Sequence, residues 1–331
     1  MKKYDVIALG ELLIDFTGNG VSSQGNPLFE ANPGGAPCNV LAMLQKLGKK
    51  TAFIGKVGDD MFGEILTKAV EEQGIDTKYL TKTKEVPTTL AFVHTKEDGD
   101  RSFSFYRNPG ADMMLEKSDL EEVDFTETKI FHFGTLSMTE EKIADVTKSA
   151  ISEAKKAGAL ISFDPNYRNL LWSSEDKARE AIWYGIGQCD ILKISDDEIE
   201  FITGEADIDK GVEIISARTN ARLICATLGR DGSKAFYKDL KVFVEPYLQE
   251  NTIETTGAGD TFMACTLYGI LNNGIDELTE EKIIDVLKFA NAAASIITTR
   301  KGALRVMPDL EEVKALCYET LDKEKMDSII I

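Results

Sequence analysis

The hydrophobic pattern of the chain alternates between short apolar runs and amphipathic segments. The runs Tyr4 to Leu9 and Leu160 to Asp164 predict buried strands, whereas Glu140 to Ala157, with apolar residues every three or four positions, predicts a helix. Strands separated by helices are typical of a parallel sheet covered on both faces. The same patterns predict strands at 51–54, 130–133, 191–194, 223–227, 235–237 and 242–244, and helices at 39–47, 60–73, 174–184, 208–218, 260–271 and 280–297.

Two stretches near the N-terminus depart from this α/β pattern. Thr88 to Tyr106 alternates apolar and polar residues around the turn-forming sequence Glu97-Asp98-Gly99-Asp100, which predicts an antiparallel hairpin inserted in the α/β chain. Gly18 to Glu30 contains several glycines and Pro27, which favour a loop.

Composition and charge narrow the classes of partner. The 331 residues include 38 Lys and Arg against 56 Asp and Glu, a formal charge of −18. Such an acidic chain lacks the basic surface that binds nucleic acid or an anionic membrane, so we expect a small-molecule partner. Five scattered cysteines without a C-x-x-C pair indicate free thiols and a reducing, cytoplasmic location. Apolar runs all fall short of the roughly 20 residues that a membrane span needs.

The sharpest local signal is a Gly-rich turn that leads into an apolar helix, with the sequence Thr255-Thr256-Gly257-Ala258-Gly259-Asp260-Thr261-Phe262. Such a turn points unpaired N–H groups at one spot beside the positive end of a helix dipole, which suits a transferring phosphoryl group. A carboxylate at Asp260 would accept a hydroxyl proton there, as a kinase requires. The alternative is structural: Gly257 and Gly259 form a tight loop, and Asp260 caps a helix.

Two further Gly-rich loops are candidates for ligand contacts. The loop Asn32 to Val40 contains Gly34-Gly35 and then Asn39, whose amide can bond hydroxyl groups as donor or acceptor, although a plain turn capped by Asn39 is an alternative. The loop Thr227 to Gly232 follows a predicted strand, and such loops line the ligand crevice of open parallel sheets. The P-loop, the G-x-G-x-x-G fingerprint and the protein-kinase motifs are missing, so nucleotide binding needs another design, and a dehydrogenase is disfavoured.

Five motifs in chain order carry a resemblance to a known family, and these are Gly34-Gly35-Ala36-Pro37-x-Asn39, Asp164-Pro165-Asn166-Tyr167-Arg168, Thr227-Leu228-Gly229-x-x-Gly232, Thr255-Thr256-Gly257-Ala258-Gly259-Asp260 and Thr299-Arg300-Lys301-Gly302-Ala303. With them the chain resembles the PfkB, or ribokinase-like, family of sugar kinases over nearly its whole length. The resemblance implies a three-layer α/β/α Rossmann-like domain with a small β-sheet lid. It further implies one kinase domain over residues 1–331, with lid segments at about 11–35 and 86–112.

The resemblance also implies roles for individual residues. Asp260 would be the general base, and the anion hole would be formed by Gly257, Ala258 and Gly259. Sugar hydroxyls would be held by Asp15, Gly34, Gly35, Asn39, Arg107 and Arg168. ATP would lie near Ser195, Thr227, Gly229, Gly232 and Asn291.

The same resemblance implies sites for metal ions. The family's N-x-x-E motif, associated with Mg²⁺ and phosphate, corresponds here to Ser195-Asp196-Asp197-Glu198, so Glu198 is expected to act on Mg²⁺ through phosphate or water. Some relatives bind K⁺ beside the anion hole, where the residue before Thr255 is often Asp but is Glu254 in this chain. A K⁺ site would draw on Glu254, Thr256, Ile297, Arg300 and Gly302.

Within the family, the motifs look most like those of bacterial fructokinases. That implies transfer of a phosphoryl group from ATP to the primary hydroxyl of D-fructose. One alternative is a 2-keto-3-deoxygluconate kinase, in which Tyr106, Arg107 and Arg168 hold the substrate carboxylate. Another is a non-catalytic sugar-binding regulator. Because the predicted hairpin leaves an edge unless something covers it, we also expect lids of two subunits to pair into a homodimer.

Overall fold

The computed structural model describes residues 2–95 and 101–318 of the protein. The strands of this part of the chain are β1 (Tyr4–Leu9), β2 (Leu13–Val21), β3 (Pro27–Gly34), β4 (Thr51–Gly58), β5 (Asp76–Thr83), β6 (Leu90–Thr95), β7 (Arg101–Tyr106), β8 (Thr128–Gly134), β9 (Leu160–Asp164), β10 (Ile191–Ser195), β11 (Leu223–Thr227), β12 (Ser233–Tyr237) and β13 (Leu240–Val244). They form two sheets, one of nine strands and one of four among the described residues.

The large sheet has the order β13-β12-β11-β10-β9-β8-β1-β4-β5. Neighbouring strands from β11 to β5 run parallel, and β12 and β13 add an antiparallel edge. The helices are α1 (Ala36–Lys46), α2 (Met61–Glu72), α3 (Glu141–Lys156), α4 (Glu175–Gln188), α5 (Asp196–Thr203), α6 (Ile208–Ser216), α7 (Ala258–Asn273), α8 (Glu280–Ile297) and α9 (Leu310–Tyr318).

The helices cover both faces of the large sheet. Apolar residues of α1, α2, α7, α8 and α9 belong to one buried cluster, and those of α3 to α6 belong to a second. The strands between the two clusters are buried on both sides, which explains why they appear in the sequence as nearly continuous apolar runs. This is the three-layer α/β/α arrangement that the alternating pattern predicts. Within residues 2–95 and 101–318, no helix combines the length and the apolar character that crossing a membrane would need.

The small sheet, with the order β3-β2-β6-β7, forms a lid over one end of the large sheet. Its strands β6 and β7 are the predicted hairpin, paired antiparallel from Leu90 and Tyr106 to Thr95 and Arg101. The predicted turn Glu97-Asp98-Gly99-Asp100 lies outside the described residues. Although the sequence predicted a loop at Gly18 to Glu30, β2 continues to Val21 and β3 begins at Pro27, so this excursion supplies the other half of the lid. Pro27 opens β3 at the edge of the sheet, where the lack of an N–H costs no internal ladder bond.

Candidate active site

A cavity of about 1060 Å³ lies between the carboxyl ends of the parallel strands and the lid. The segments that follow β9, β10 and β11 form part of the cavity wall. Polar and apolar side chains at alternate positions of the lid strands face the cavity from the other side. Neighbouring strands are about 4.8 Å apart, so the ends of β1 and β11, four strands apart, are separated by roughly 19 Å. The cavity therefore has room for a sugar under the lid and a nucleotide further along the sheet.

Asp260 lies inside the first turn of α7 and faces this cavity. The N-cap of the helix is Gly257, in the left-handed region at φ 78°, where an added Cβ would come within 2.7 Å of the Ala303 side chain. Asp260 is thus not the cap, and its Oδ2 instead accepts a hydrogen bond from Nδ2 of Asn39 at 2.8 Å. Oδ1 of Asn39 is buried without a hydrogen-bond partner, so this pair presents an unused acceptor beside the carboxylate.

The Gly-rich turn before Asp260 supplies N–H groups at the start of α7. Gly257, Ala258 and Gly259 all line the cavity. The amide of Ala258 already donates to the Thr255 carbonyl at 3.2 Å, as in a tight turn. An anion at this helix start would meet the remaining first-turn N–H groups and the positive end of the dipole.

The proton affinity of Asp260 suits a base that works near neutral pH. Burial raises the pKa of its carboxyl from 3.8 to about 6; the Asn39 hydrogen bond lowers it, Asp164 raises it, and Lys193 and Arg168 lower it. A carboxylate with a pKa of about 6 is mostly ionised at neutral pH yet accepts a proton more readily than an ordinary Asp.

The loop before α1 brings two glycines against other cavity residues. Gly35 is at φ 133°, and a Cβ there would lie 2.4 Å from the backbone oxygen of Glu11, while a Cβ at Gly34 would lie 2.5 Å from Oδ2 of Asp15. The side chain of Glu11 accepts the N–H of Ala36 at 2.8 Å and so holds the start of α1. These contacts exclude a plain turn capped by Asn39, because Asn39 lies one turn inside the helix.

Asp15 projects from β2 of the lid into the same cavity. Burial raises the pKa of its carboxyl to about 7; Arg168 lowers it, and Glu254 and Asp260 raise it. Near neutral pH, Asp15 can therefore both donate and accept hydrogen bonds, as sugar hydroxyls require.

The two predicted arginines have different surroundings. Arg168 is exposed at the cavity wall, where its charge acts on both Asp15 and Asp260. Arg107 does not line the cavity, contrary to the expectation that it holds substrate. Its guanidinium is buried and donates to Asp112, to the Thr139 hydroxyl and to the Leu136 carbonyl at 2.8 to 2.9 Å. The sequence could not distinguish the two arginines, because both follow an aromatic residue near a predicted strand end.

Thr227, Gly229, Gly232 and Asn291, which are the residues expected near ATP, all line the cavity. Thr227 ends β11, and Gly232 adopts φ 98° at a point where a Cβ would lie 2.3 Å from the Val244 carbonyl. Nδ2 of Asn291 donates to the carbonyls of Val244 and Glu245, so α8 is bonded to the end of β13 and to the loop that follows β13. That loop, residues 246–249, also lines the cavity, and nothing in its sequence predicted this.

Ser195 and Glu198 form a reciprocal cap at the start of α5. The Ser195 hydroxyl accepts the N–H of Glu198, and Oε2 of Glu198 accepts the N–H of Ser195 at 2.9 Å. The other oxygen, Oε1, accepts the N–H of Tyr167 at 2.8 Å. Ser is among the best residues for such a capping box, which is a local reason for it to stand where the family motif has Asn.

The residues fit a loosely held Mg²⁺ better than an all-protein metal cage. Asp196 and Glu198 both line the cavity, and in kinases Mg²⁺ is typically held by one or two carboxylates together with water and phosphate. Among the described residues, there is no cluster of three or more His, Cys, Asp or Glu side chains that could hold a metal alone.

The five residues expected at a K⁺ site divide into two groups. Glu254, Thr256 and Gly302 line the cavity, and Oε1 of Glu254 accepts the N–H of Gly302 at 2.7 Å. Ile297 and Arg300 are not part of the cavity wall, and the Ile297 carbonyl accepts the N–H of Arg300. The donors therefore do not all meet at the cavity surface, and the K⁺ site stays a prediction.

Lys193 is a cavity residue that the sequence analysis missed. It is buried on β10 and paired with Asp164 at 3.0 Å. A signal was present, since a single lysine interrupts the apolar run Ile191 to Ile194 of a central strand, and a charged residue is rarely buried without a partner or a function.

Comparison with known proteins agrees with this geometry. The model of the pfkB family carbohydrate kinase matches residues 3–310. The chain belongs to this family of carbohydrate kinases, and the ribokinase-like fold expected from its motifs is confirmed.

Relatives of similar sequence or structure narrow the group within the family. Fructokinase-2 of Oryza sativa subsp. japonica is 40% identical over 314 residues, which cover 94% of this chain and 93% of that protein. The structure of fructokinase from Xylella fastidiosa with bound ATP has a TM-score of 0.89 at 31% identity and covers 97% of this chain and 100% of that one. A fructokinase double mutant from Vibrio cholerae O395, in a form with fructose, ADP and potassium ion bound, has a TM-score of 0.86 at 28% identity, covering 96% and 99%.

Proposed function

We propose that this protein is an ATP-dependent fructokinase that transfers the γ-phosphoryl group to the primary hydroxyl of D-fructose. The observation that carries the proposal is the hydrogen-bonded pair of Asn39 on α1 and Asp260 at the start of α7, which faces the cavity under the lid. Similarity to fructokinases over nearly the whole chain supports fructose as the sugar.

In this reaction, different groups around the cavity accept the proton, hold the phosphoryl group and bind the sugar. The hydroxyl oxygen of the sugar attacks the γ-phosphorus, the bond from that phosphorus to the bridging oxygen of ADP breaks, and Asp260 takes the hydroxyl proton. The N–H groups at the start of α7 hold the transferring phosphoryl, and Oδ1 of Asn39 accepts from the sugar. Mg²⁺, held through Asp196 or Glu198, water and phosphate, would neutralise phosphate charge when bound.

Two observations bear on the alternatives. A keto-acid kinase was expected to hold its substrate carboxylate with Tyr106, Arg107 and Arg168. Of these, only Arg168 lines the cavity, since Tyr106 is exposed on the outer side of the lid and Arg107 is bonded within the protein. A non-catalytic sugar-binding regulator would not need a buried base with a raised pKa beside an anion-binding turn.

The proposal extends to location and assembly. We infer a cytoplasmic enzyme, supported by five buried cysteines that form no disulfide. We also infer a homodimer formed through the lid, whose outer face exposes Phe29 and Tyr106.

Asp260→Asn tests the mechanism. The change keeps the size of the side chain and removes the base, so kcat for ADP release with fructose should fall by about 10²–10⁴-fold with little change in KM. Asp207→Asn is a matched control, because Asp207 caps α6 and is not part of the cavity wall, and Asn caps about as well. An Asp260→Asn variant that keeps more than about a tenth of the wild-type kcat would exclude the role of base.

The same assay over fructose, ribose, 2-keto-3-deoxygluconate, tagatose and adenosine tests the substrate. We expect the highest kcat/KM with fructose. A higher value for the keto acid would favour the alternative kinase, and binding without turnover of any of these compounds would favour the regulator.

A further inference from the structure

Lys193 is a buried cation that the mechanism above does not use. Its side chain is 8% exposed, and its Nζ lies 3.0 Å from Oδ2 and 3.2 Å from Oδ1 of Asp164, which is 5% exposed. Lys193 belongs to β10 and Asp164 ends β9, so neighbouring parallel strands hold the pair at the carboxyl edge of the sheet.

The pair lies directly beneath the turn that carries the base. A Cβ added at Gly259 would be 3.0 Å from Nζ of Lys193. Gly259 precedes Asp260, so the ammonium group is packed against the backbone of the anion-binding turn. No other side chain fits between Nζ of Lys193 and the backbone of Gly259.

Asp164 shapes the loop after β9, and its carboxylate brings a negative charge close to Asp260. Its Oδ1 accepts the N–H of Asn166 at 3.1 Å, and Asn166 has the unusual φ of 45° for a residue other than glycine. Asp164 thereby shapes the loop that presents Arg168 to the cavity. A buried carboxylate near Asp260 would, if unpaired, favour protonation of the base.

We propose that Lys193 is a positioning residue for phosphoryl transfer, which by neutralising Asp164 beneath the turn of Gly257 to Gly259 keeps Asp260 available as a proton acceptor at neutral pH. This inference rests on the proposed function, in which Asp260 is the base. It adds a residue outside the expected sugar, nucleotide and metal ligands.

The charges around Asp260 are consistent with this role. The ionisable side chains that face it are Asp164 and Lys193 from the sheet, Arg168 from the loop after β9 and Asp15 from the lid, with Asn39 of α1 as hydrogen-bond donor. Asp164 raises the pKa of Asp260 and Lys193 lowers it. Burial lowers the pKa of Lys193, but Asp164, Glu198 and Asp260 together raise it by more, so the ammonium group stays charged.

The test is the pH profile of kcat/KM for fructose at saturating MgATP in four variants. Lys193→Met leaves Asp164 unpaired, so the acid limb should move up by about one pH unit or more. Asp164→Asn should move it down, and the double variant should return it towards the wild-type position. MgATP titrates identically in every sample, so differences between variants report on the protein.

Lys56→Met is the matched control. Lys56 is a mostly buried lysine on β4 of the same sheet, paired with Asp119 at 2.7 Å and absent from the cavity wall. The Lys56→Met variant should lose thermal stability as Lys193→Met does, but the acid limb of its pH profile should not move. A shift of equal size in this control would trace the effect to loss of stability and overturn the inference.

The outcomes separate this inference from the proposed function. If Asp260→Asn is inactive and the acid limbs of Lys193→Met and Asp164→Asn coincide with that of the wild type, Asp260 remains the base and the role of Lys193 is wrong. If Asp260→Asn stays active, the mechanism fails first, and the Lys193 inference fails with it. Should Lys193→Met not fold, a failure of Asp164→Asn to move the limb downward still overturns the role.

Discussion

At the scale of single residues, the site depends on two side chains that are far apart in sequence. Asn39 and Asp260, separated by 221 positions, meet because α1 and α7 pack side by side on one face of the sheet. Each lies in the first turns of a helix that follows a Gly-rich loop, which is a pattern that the sequence makes visible. Their direct hydrogen bond was not foreseeable, because helix packing and not local sequence brings them together.

The raised pKa of Asp260 has a consequence for stability. A carboxyl with a pKa of 3.8 when unfolded and about 6 when folded binds its proton more tightly in the folded state, so its contribution to the free energy of unfolding decreases as the pH rises through this window. We expect Asp260→Asn to be more stable than the wild type at pH 8, by at most about 3 kcal/mol. The advantage should shrink as the pH falls towards 4.

Thermal unfolding of both proteins at pH 8 and pH 5 checks this expectation. The gap in Tm should be larger at pH 8. A variant that melts at lower temperature than the wild type at pH 8 would mean that the ionised carboxylate stabilises the fold, and that burial does not dominate its pKa.

At the scale of elements, Arg107 joins the end of the lid hairpin to the segment that follows β8 of the large sheet. Arg107, directly after β7, forms a buried ion pair with Asp112, which in turn accepts a hydrogen bond from Thr89 just before β6 at 2.5 Å. Arg107 also donates to Leu136, a cavity residue that follows β8. The end of the lid hairpin is thereby fixed to a segment of the cavity wall.

Arg107→Leu should therefore act through stability and lid position. It leaves the Asp112 carboxylate buried without its cation, which typically costs about 3–5 kcal/mol. We expect a lower Tm and similar losses of kcat/KM for fructose and for 2-keto-3-deoxygluconate, since the guanidinium does not face the cavity. Arg168→Leu is the comparison, with altered kinetics and little change in Tm. A loss confined to the keto acid in Arg107→Leu would show that the arginine does read a substrate carboxylate.

Elements differ in how far the sequence predicts them. Strands β9 and β11 and helix α8 have the predicted bounds, because buried parallel strands and amphipathic helices leave strong hydrophobic patterns. Strand β5 was missed since it lies at the sheet edge with a mixed, half-buried pattern, and α5 was missed because it has only eight residues. Strand β3 is mostly exposed, so its residues carry little hydrophobic signal.

At the scale of the whole molecule, the lid has one face towards the cavity and one towards solvent. Asp15, Asn32 and Phe105 point to the cavity. On the opposite face, Phe16, Phe29, Phe92 and Tyr106 form a row of ring contacts across all four strands, with centroids 4.8 to 5.5 Å apart. Phe62 of α2 covers Phe16, whereas Phe29 is 41% exposed and Tyr106 is 64% exposed.

An aromatic row at the surface of a four-stranded sheet, whose outermost described strands are β3 and β7, favours association with a second lid. We expect a dimer in light scattering at micromolar concentration. Phe29→Asp places a charge within the aromatic row and should shift the molecule towards a monomer. Phe243→Asp is the matched control, because Phe243 is a phenylalanine of similar exposure, 51%, on β13 at the edge of the large sheet. A wild-type monomer, or equal dissociation in both variants, would mean that the lid face does not hold two subunits together.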